Sequence, residues 1–161
     1  MDEKEAKVYE HLDKLGISYE RKEHPPVYTV EEAERYWKDI KGAHCKNLFI
    51  RNDKGNQHFL VVAEQNKKID LKKLSARIGA GRLSFASANR LEKYLGLETG
   101  AVSPFGLIND TENEVKVLLD IGLKKSEFIN FHPNVNTATV TIAFKDFEKF
   151  LSEGGYKPKY I

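Results

Sequence analysis

Hydrophobic positions recur at helical spacing in several stretches of the chain, and capping residues mark where these stretches begin or end. Between residues 3 and 15, Val8, Leu12 and Leu15 are spaced for one helix face, and Gly16 follows as a stop signal. Thr29, with Glu32 three residues later, fits a capping box. The predicted helices are therefore 3–15, 29–39, 70–77, 87–95 and 144–151, with Asp70 and Ser87 as further caps.

Apolar runs bounded by turn residues predict the strands. The clearest pair is a hairpin in which 46–51 and 57–63 flank the turn Asn52-Asp53-Lys54-Gly55. Further strands are predicted at 17–20, 83–86, 115–120, 127–131 and 137–143, and Gly154-Gly155 is interpreted as the start of a tail. Strands that neighbour each other in sequence, with helices between groups, predict one α+β domain over 1–161 with a mixed, largely antiparallel sheet.

The composition narrows the class of protein. A chain of 161 residues with 40% hydrophobic and 31% charged positions has the length of one globular domain. Its apolar runs are too short to cross a bilayer, and the charged N-terminus lacks the apolar stretch of a signal peptide, so no membrane partner is expected. A single cysteine, Cys45, cannot form an internal disulfide, which suits a reducing cytoplasm.

The net charge of +2 conceals a basic segment between residues 67 and 93. Eight basic residues face only two acidic ones there, so the segment carries +6 and the remainder −4. Such a segment is either a footprint for a polyanion or a solvated helix face, and the sequence leaves both open. The basic residues are Lys67, Lys68, Lys72, Lys73, Arg77, Arg82, Arg90 and Lys93.

A loop rich in glycine and proline runs from Glu98 to Leu107. Gly100, Pro104 and Gly106 cannot continue a helix or a sheet ladder, so the loop is expected to be stiff. Small residues near its start would let its N–H groups approach a carbonyl or an oxyanion. The alternative is an ordinary connection between a helix and a strand.

Candidate chemistry is sparse elsewhere. Lys46, at the head of a strand, could bind a phosphate or a carbonyl, or be an ordinary solvated lysine. His132, within a polar run around Pro133, could form one wall of a site or stabilise a turn. Neither CxxC nor HxxxH spacing accompanies His44-Cys45, so no metal is predicted, and no neighbouring base marks Cys45 as a nucleophile. The GxSxG elbow of many serine hydrolases is also missing.

In their order along the chain, these motifs resemble the YbaK-like aminoacyl-tRNA editing domains. That family includes the insertion domain of bacterial prolyl-tRNA synthetase and its free-standing relatives. The resemblance spans roughly residues 19–151 and is greatest to the free-standing PrdX-type (ProX-type) deacylases. Its markers are Lys46 in Cys45-Lys46-Asn47-Leu48-Phe49, Gly55, the GxxxP loop 100–104, His132-Pro133-Asn134 and the run Asn136-Thr137-Ala138-Thr139.

The resemblance implies a barrel-like sheet surrounded by helices and a site without metal or cofactor. It assigns Lys46, Gly100 and His132 to catalysis, with Lys46 holding the 3′ end of the tRNA or its ester. The implied substrate-binding residues are Ala101, Val102, Ser103, Pro104, Phe105 and Asn134. Contacts to tRNA are then expected from Lys67, Lys68, Lys72, Lys73 and Arg77 of the basic segment.

The activity implied by the resemblance is trans-editing of Ala-tRNA(Pro), with water attacking the ester and the tRNA 2′-hydroxyl assisting. An activated ester needs only a positioned water and a stabilised oxyanion, which agrees with a sequence that shows no catalytic triad. The expected partner is the acceptor end of tRNA(Pro), with prolyl-tRNA synthetase left open and DNA not expected. Cysteine or serine as the removed residue, and a non-catalytic module that binds tRNA or a synthetase, remain alternatives.

Overall fold

The computed structural model describes the backbone of residues 1–161 and every side chain except that of Val30. The helices are α1 (Glu3–Lys14), α2 (Val30–Trp37), α3 (Leu71–Ile78), α4 (Ala88–Leu95) and α5 (Phe144–Glu153). Two 3-10 helices cover Pro104–Asn109 and Ile121–Lys125. The strands are β1 (Glu20–Glu23), β2 (Ala43–Asn52), β3 (His58–Glu64), β4 (Leu83–Phe85), β5 (Val115–Leu119), β6 (Phe128–Phe131), β7 (Ala138–Ala143) and β8 (Lys159–Tyr160). No helix in the described chain has both the length and the apolar content that crossing a membrane requires.

Side-chain caps begin four of the helices where the sequence predicts them or close to it. The Thr29 side chain accepts a hydrogen bond from the Glu32 N–H, and the Ser87 side chain accepts one from the Arg90 N–H. Asp70 accepts from two backbone donors at the start of α3. These bonds satisfy N–H groups that have no partner within their helix. The fourth cap is Asp2, at the start of α1.

The sheet has eight strands in the order β1-β7-β6-β2-β3-β5-β8, with β4 paired to β2 off this path. Four pairings are antiparallel (β1 with β7, β2 with β3, β2 with β4, β6 with β7). Three are parallel (β2 with β6, β3 with β5, β5 with β8). The predicted mixed, largely antiparallel sheet is therefore confirmed.

Several boundaries differ from the prediction. Strand β2 begins at Ala43, three residues before the predicted 46, and α2 ends at Trp37, two residues before the predicted 39. The first strand covers Glu20–Glu23 rather than 17–20, because Ile17 is needed in the core, where only 3% of it remains exposed. The segment after Gly155 is no tail, since Tyr156 and Ile161 are buried and β8 pairs with β5. A strand of two residues is too short for a hydrophobic periodicity to predict it.

The two faces of the β2-β3-β5 region carry separate hydrophobic cores. One face packs against α1, α4 and α5, and the other packs against α3 through Leu74. We name the latter the α3 face and define it by Ile50, Phe59, Val61, Ala63 and Leu118. Because residues paired across strands share a face, Lys46 opposite Ala63 and Lys116 opposite Phe59 also belong to the α3 face.

Candidate functional site

A small open cavity lies where α2, the first half of β2, the loop after α4 and the turn after β6 meet. Its volume is about 280 Å³. This lies just below the range of about 300–1,000 Å³ for ligand pockets, so the cavity suits a small group rather than a large ligand. Its lining residues are Val27, Tyr28, Thr29, Ala33, Trp37, Cys45, Lys46, Asn47, Gln65, Gly100, Val102 and His132.

Lys46 contributes the positive charge of the cavity. It lies on β2 opposite Ala63, and its side chain is partly buried. Within the described part of the chain, no carboxylate oxygen lies within 4.0 Å of its ammonium group, and the ammonium forms no hydrogen bond with the protein. An unneutralised cation in a half-enclosed site attracts a phosphate or a carbonyl oxygen.

His132 presents a neutral imidazole to the same cavity. Its Nδ1 lies 3.1 Å from the carbonyl oxygen of Ala138, so Nδ1 carries the proton and donates it. Burial lowers the pKa of His132, the Ala138 carbonyl partly opposes this shift, and nearby His24 adds to it. The ring is therefore neutral at neutral pH, and Nε2, which has no partner among the described residues, accepts a hydrogen bond.

The loop after α4 brings Gly100 and Val102 to the cavity wall. Gly100 has φ +93°, and a Cβ atom there would lie 3.8 Å from the ring of Tyr28. The N–H of Ala101 donates to the carbonyl of Glu98 at 3.1 Å. The N–H groups of Gly100 and Val102 donate to no acceptor that the described residues supply, so both are available to a ligand.

Asn47 joins this loop to β2. Its Nδ2 donates to the Val102 carbonyl at 3.4 Å, whereas its Oδ1 is buried and finds no donor among the described residues. A buried amide oxygen without a partner is costly, and a bound ligand with a donor would satisfy it.

Five residues predicted to bind the substrate do not line the cavity. Ser103 accepts from the Phe105 N–H and so begins the 3-10 helix that contains Pro104. The Phe105 ring is fully buried between Phe131 and Phe150, at centroid distances of 5.7 and 5.4 Å. The structure therefore places these residues outside the cavity lining, and their predicted contact with the substrate stays a prediction. The five are Ala101, Ser103, Pro104, Phe105 and Asn134.

Asn134 has a backbone role. It is buried with φ +64°, a conformation that asparagine tolerates better than most residues, and it lies in the turn between β6 and β7. The turn follows His132, which lines the cavity, and the buried Oδ1 of Asn134 finds no donor among the described residues.

The basic segment is divided between internal contacts and exposed positions. The Lys67 ammonium lies 2.6 Å from Asp120, which is 1% exposed. Burial opposes ionisation of Asp120, but Lys67 and the N–H groups of Glu64 and Gly122 outweigh it and lower the pKa of the carboxyl. Lys67 is thus held in an internal ion pair, and its predicted contact with tRNA stays a prediction. Lys68, Lys72, Lys73 and Arg77 are exposed.

Arg90 of the same segment is also internal. It donates to the Gly55 carbonyl at 3.0 Å and to Nε2 of His58 at 2.9 Å. Burial and the adjacent charges, first that of Arg90, lower the pKa of His58 to about 4. His58 is 2% exposed and lies over the ring of Tyr94, so this group stabilises the hairpin end of the sheet.

Cys45 lines the cavity but is not an activated thiol. Burial raises its pKa to about 12, so the sulfur remains protonated at neutral pH. Across the described residues, no three His, Cys, Asp or Glu side chains are grouped so as to hold a metal ion. What the cavity offers is a cation, a neutral imidazole and backbone donors.

Several lining residues were not predicted from the sequence. Asn47 follows Lys46 directly, and an amide beside a candidate lysine is the sequence signal that could have identified it. Tyr28 and Trp37 flank α2, and the contact of α2 with the cavity becomes visible only in three dimensions. Trp37 stacks on His44 at a centroid distance of 4.6 Å.

Comparison with known proteins agrees with this geometry. A family model described as "Aminoacyl-tRNA editing domain" matches residues 24–150. The prolyl-tRNA editing protein ProX of Acetoanaerobium sticklandii is 50% identical over 163 residues, covering 100% of this chain and 98% of that protein. Prolyl-tRNA synthetase associated domain-containing protein 1 of Mus musculus is 33% identical, with 95% and 92% covered. A crystal structure of a protein proposed as a trans-editing enzyme for prolyl tRNA synthetase has a TM-score of 0.75 at 20% identity, with 99% and 97% covered.

The mixed sheet carries a small open cavity lined by a lysine, a histidine and a glycine loop. The family match covers most of the chain, and the relative at 50% identity covers all of it. The chain therefore belongs to the family of aminoacyl-tRNA editing domains, and it is an aminoacyl-tRNA deacylase.

Proposed function

We propose that the protein hydrolyses mischarged Ala-tRNA(Pro) in trans, releasing alanine and tRNA(Pro). The observation that carries this proposal is the cavity itself, which combines the unpaired ammonium of Lys46 with the neutral imidazole of His132 in about 280 Å³. The full-length similarity to a prolyl-tRNA editing protein supports proline tRNA as the carrier.

The chemistry uses positioned groups and no protein nucleophile. Lys46 binds the terminal phosphate or the ester carbonyl as a point charge. The free N–H groups of Gly100 and Val102 stabilise the negative charge that develops on the carbonyl oxygen. Nε2 of His132 accepts a hydrogen bond from the attacking water and orients it. As the ester bond to the ribose breaks, the tRNA 2′-hydroxyl assists transfer of the proton from the water to the departing 3′-oxygen.

The amino acid is recognised by size and by its amino group. Val27, Ala33 and Val102 give the cavity an apolar part that fits a methyl group. The unpartnered Oδ1 of Asn47 accepts a hydrogen bond from the substrate amino group. A synthetic site distinguishes one methylene by only about 1–3 kcal/mol, so a second site that admits alanine and excludes the proline ring supplies the missing selectivity.

Tyr28 is placed to hold the terminal base. It is 74% exposed at the cavity rim, and its N–H donates to the Glu32 carboxylate at 3.1 Å, which fixes its position before α2. An exposed ring beside a phosphate-binding lysine is a stacking surface for an unpaired base, worth about 1–3 kcal/mol.

The testing experiment is hydrolysis of alanyl, cysteinyl, seryl and prolyl esters of tRNA(Pro) by the wild type and by Lys46→Ala. The rate of alanyl-tRNA hydrolysis should fall by at least about 100-fold in the variant, because the substitution removes the ammonium charge that acts on the reacting ester. Lys145→Ala is the matched control, since Lys145 is exposed on α5 and is not among the residues that line the cavity. Circular dichroism of both variants confirms that the fold is retained.

The outcomes separate the alternatives. Rapid loss of alanine with proline spared supports the proposal. Preferential loss of cysteine or serine would keep the reaction and replace the substrate. If no ester is hydrolysed although tRNA binds, the protein is a binding module and the proposal fails.

A further inference from the structure

A second cleft, larger than the cavity that holds Lys46, lies on the α3 face of the sheet. Its volume is about 390 Å³, and it is bordered by β3, β5, the end of α3 and the segment that leads into β8. Its floor is apolar and includes Phe59 and Leu118, whereas Lys116, Lys157 and Lys159 stand at its sides. We name it the lysine cleft after these three residues.

The lysine cleft carries positive charge that the protein does not neutralise. None of its lining residues is acidic. Among the described residues, no carboxylate lies within 4.0 Å of the three ammonium groups. The Lys116 ammonium lies 5.8 Å from the centre of the Phe59 ring, a contact that positions the charge without cancelling it. Three unneutralised cations around one concave surface are complementary to an anion with several phosphates.

The lysine cleft lies on the same face of the sheet as Lys46, whereas Cys45 and Val102 of the cavity that Lys46 lines pack against the core of the opposite face. Lys46 and Lys116 share the α3 face, and strand spacings place their Cα atoms about 16 Å apart. Helix α3 packs on this same face, and its last residue Ile78 borders the cleft. The exposed side of α3 carries Lys72, Lys73 and Arg77, and Nη2 of Arg77 lies 3.5 Å from the Tyr160 carbonyl in β8.

We propose that the lysine cleft binds backbone phosphates of the tRNA acceptor arm while the 3′ end occupies the editing cavity. The inference rests on the proposed function. A polyphosphate strand is favoured over a small anion because the positive charge continues from the cleft over α3 towards Lys46. It is favoured over an acidic peptide because the tRNA whose 3′ end enters the cavity carries further backbone phosphates, and these can lie about 16 Å from Lys46. Contacts of this kind read the shape of the arm and not its bases.

The test is the salt dependence of uncharged tRNA(Pro) binding by the wild type and by Lys116→Gln/Lys159→Gln. Each lost phosphate contact should reduce the slope of log affinity against log salt by about 0.7–0.9. At about 0.1 M salt the same relation predicts a loss of about 5- to 8-fold in affinity per lysine. Lys116→Arg/Lys159→Arg retains the charge and should retain the slope.

Lys7→Gln/Lys145→Gln is the matched control, because these exposed lysines belong to α1 and α5 on the other side of the sheet. In deacylation, the cleft variant should raise KM for the full tRNA and leave kcat unchanged. Its kinetics on an aminoacyl ester of the terminal trinucleotide should equal those of the wild type, since that ester does not reach the cleft.

The outcomes distinguish the two proposals. A cleft variant that binds tRNA with wild-type affinity and slope overturns the role of the lysine cleft and leaves the editing activity untouched. Equal losses in the cleft variant and in the control variant also overturn it, because the effect would then follow net charge alone. A wild type that binds no tRNA overturns both this inference and the proposed function.

Discussion

His58 is expected to make the free energy of unfolding depend on pH between about pH 5 and 7.5. Its folded pKa of about 4 lies below the ordinary 6.5. The unfolded chain therefore binds a proton on this residue at a pH where the folded protein does not. Stability from this source is complete above pH 6.5 and is lost as the pH falls towards 4.

The magnitude follows from the two pKa values. The full difference corresponds to about 3 kcal/mol, of which about 2 kcal/mol is lost between pH 7.5 and pH 5. The physical cause is burial of the ring together with the Arg90 guanidinium 2.9 Å from Nε2. A protonated ring would place two cations in contact without water between them.

The assay is urea unfolding of the wild type and of His58→Gln at both pH values. Glutamine keeps an acceptor for Arg90 but has no proton to gain, so the variant should lose about 2 kcal/mol less than the wild type on acidification. The rest of the chain is identical in the two proteins, so its contribution to the pH dependence cancels in this comparison. Arg90→Gln should show an intermediate dependence, because burial is the larger cause. Equal losses in the wild type and in His58→Gln would show that His58 is not held neutral.

Two further predictions concern the deacylation activity of a cysteine variant at the cavity and the stability of a glycine variant. Cys45→Ala should keep deacylation within about threefold of the wild type, since the thiol is protonated at neutral pH, and a loss of about 100-fold or more in kcat would contradict this. Gly42→Ala should lower the free energy of unfolding by about 3 kcal/mol or more, because Gly42 has φ +91° and a Cβ there would lie 2.5 Å from the Phe128 carbonyl oxygen. Gly16→Ala is its control: at φ +71° with no atom within 4 Å it should cost only about 1 kcal/mol in urea unfolding, and equal costs would refute the clash.

The sequence predicted most of the elements because local signals and tertiary packing agree. Thr29, Asp70 and Ser87 cap their helices through bonds that involve only near neighbours in the chain. The hairpin around Asn52 likewise depends on local turn chemistry, with the Asn52 side chain accepting from the N–H groups of Asn56 and Gln57. What failed were elements defined by long-range pairing. β8 is two residues long and exists because β5 offers it an edge.

The candidate site was predicted only in part, for a related reason. Lys46, Gly100, Val102 and His132 carry distinctive local motifs and do meet at the cavity. The rest of the GxxxP loop was assigned to the substrate as one block, although neighbouring residues of a loop face different directions. Phe105 therefore packs in the core, while Gly100 faces Tyr28. Tyr28 and Gln65 reach the cavity from distant parts of the chain, and no local sequence pattern predicts that they line it.

The pairing of β1 with β7 sets the order in which the protein can assemble. Glu20 lies opposite Thr141, and the two are separated by 121 positions in the chain. Closing such a long loop lowers the chain entropy before the stabilising contacts between the two strands form, so folding is expected to be slow. His132 and Tyr28 reach the same cavity across a similar span. During synthesis the ribosome must therefore release the chain through β7 before the cavity can form, so a chain interrupted before β7 is expected to be inactive in deacylation.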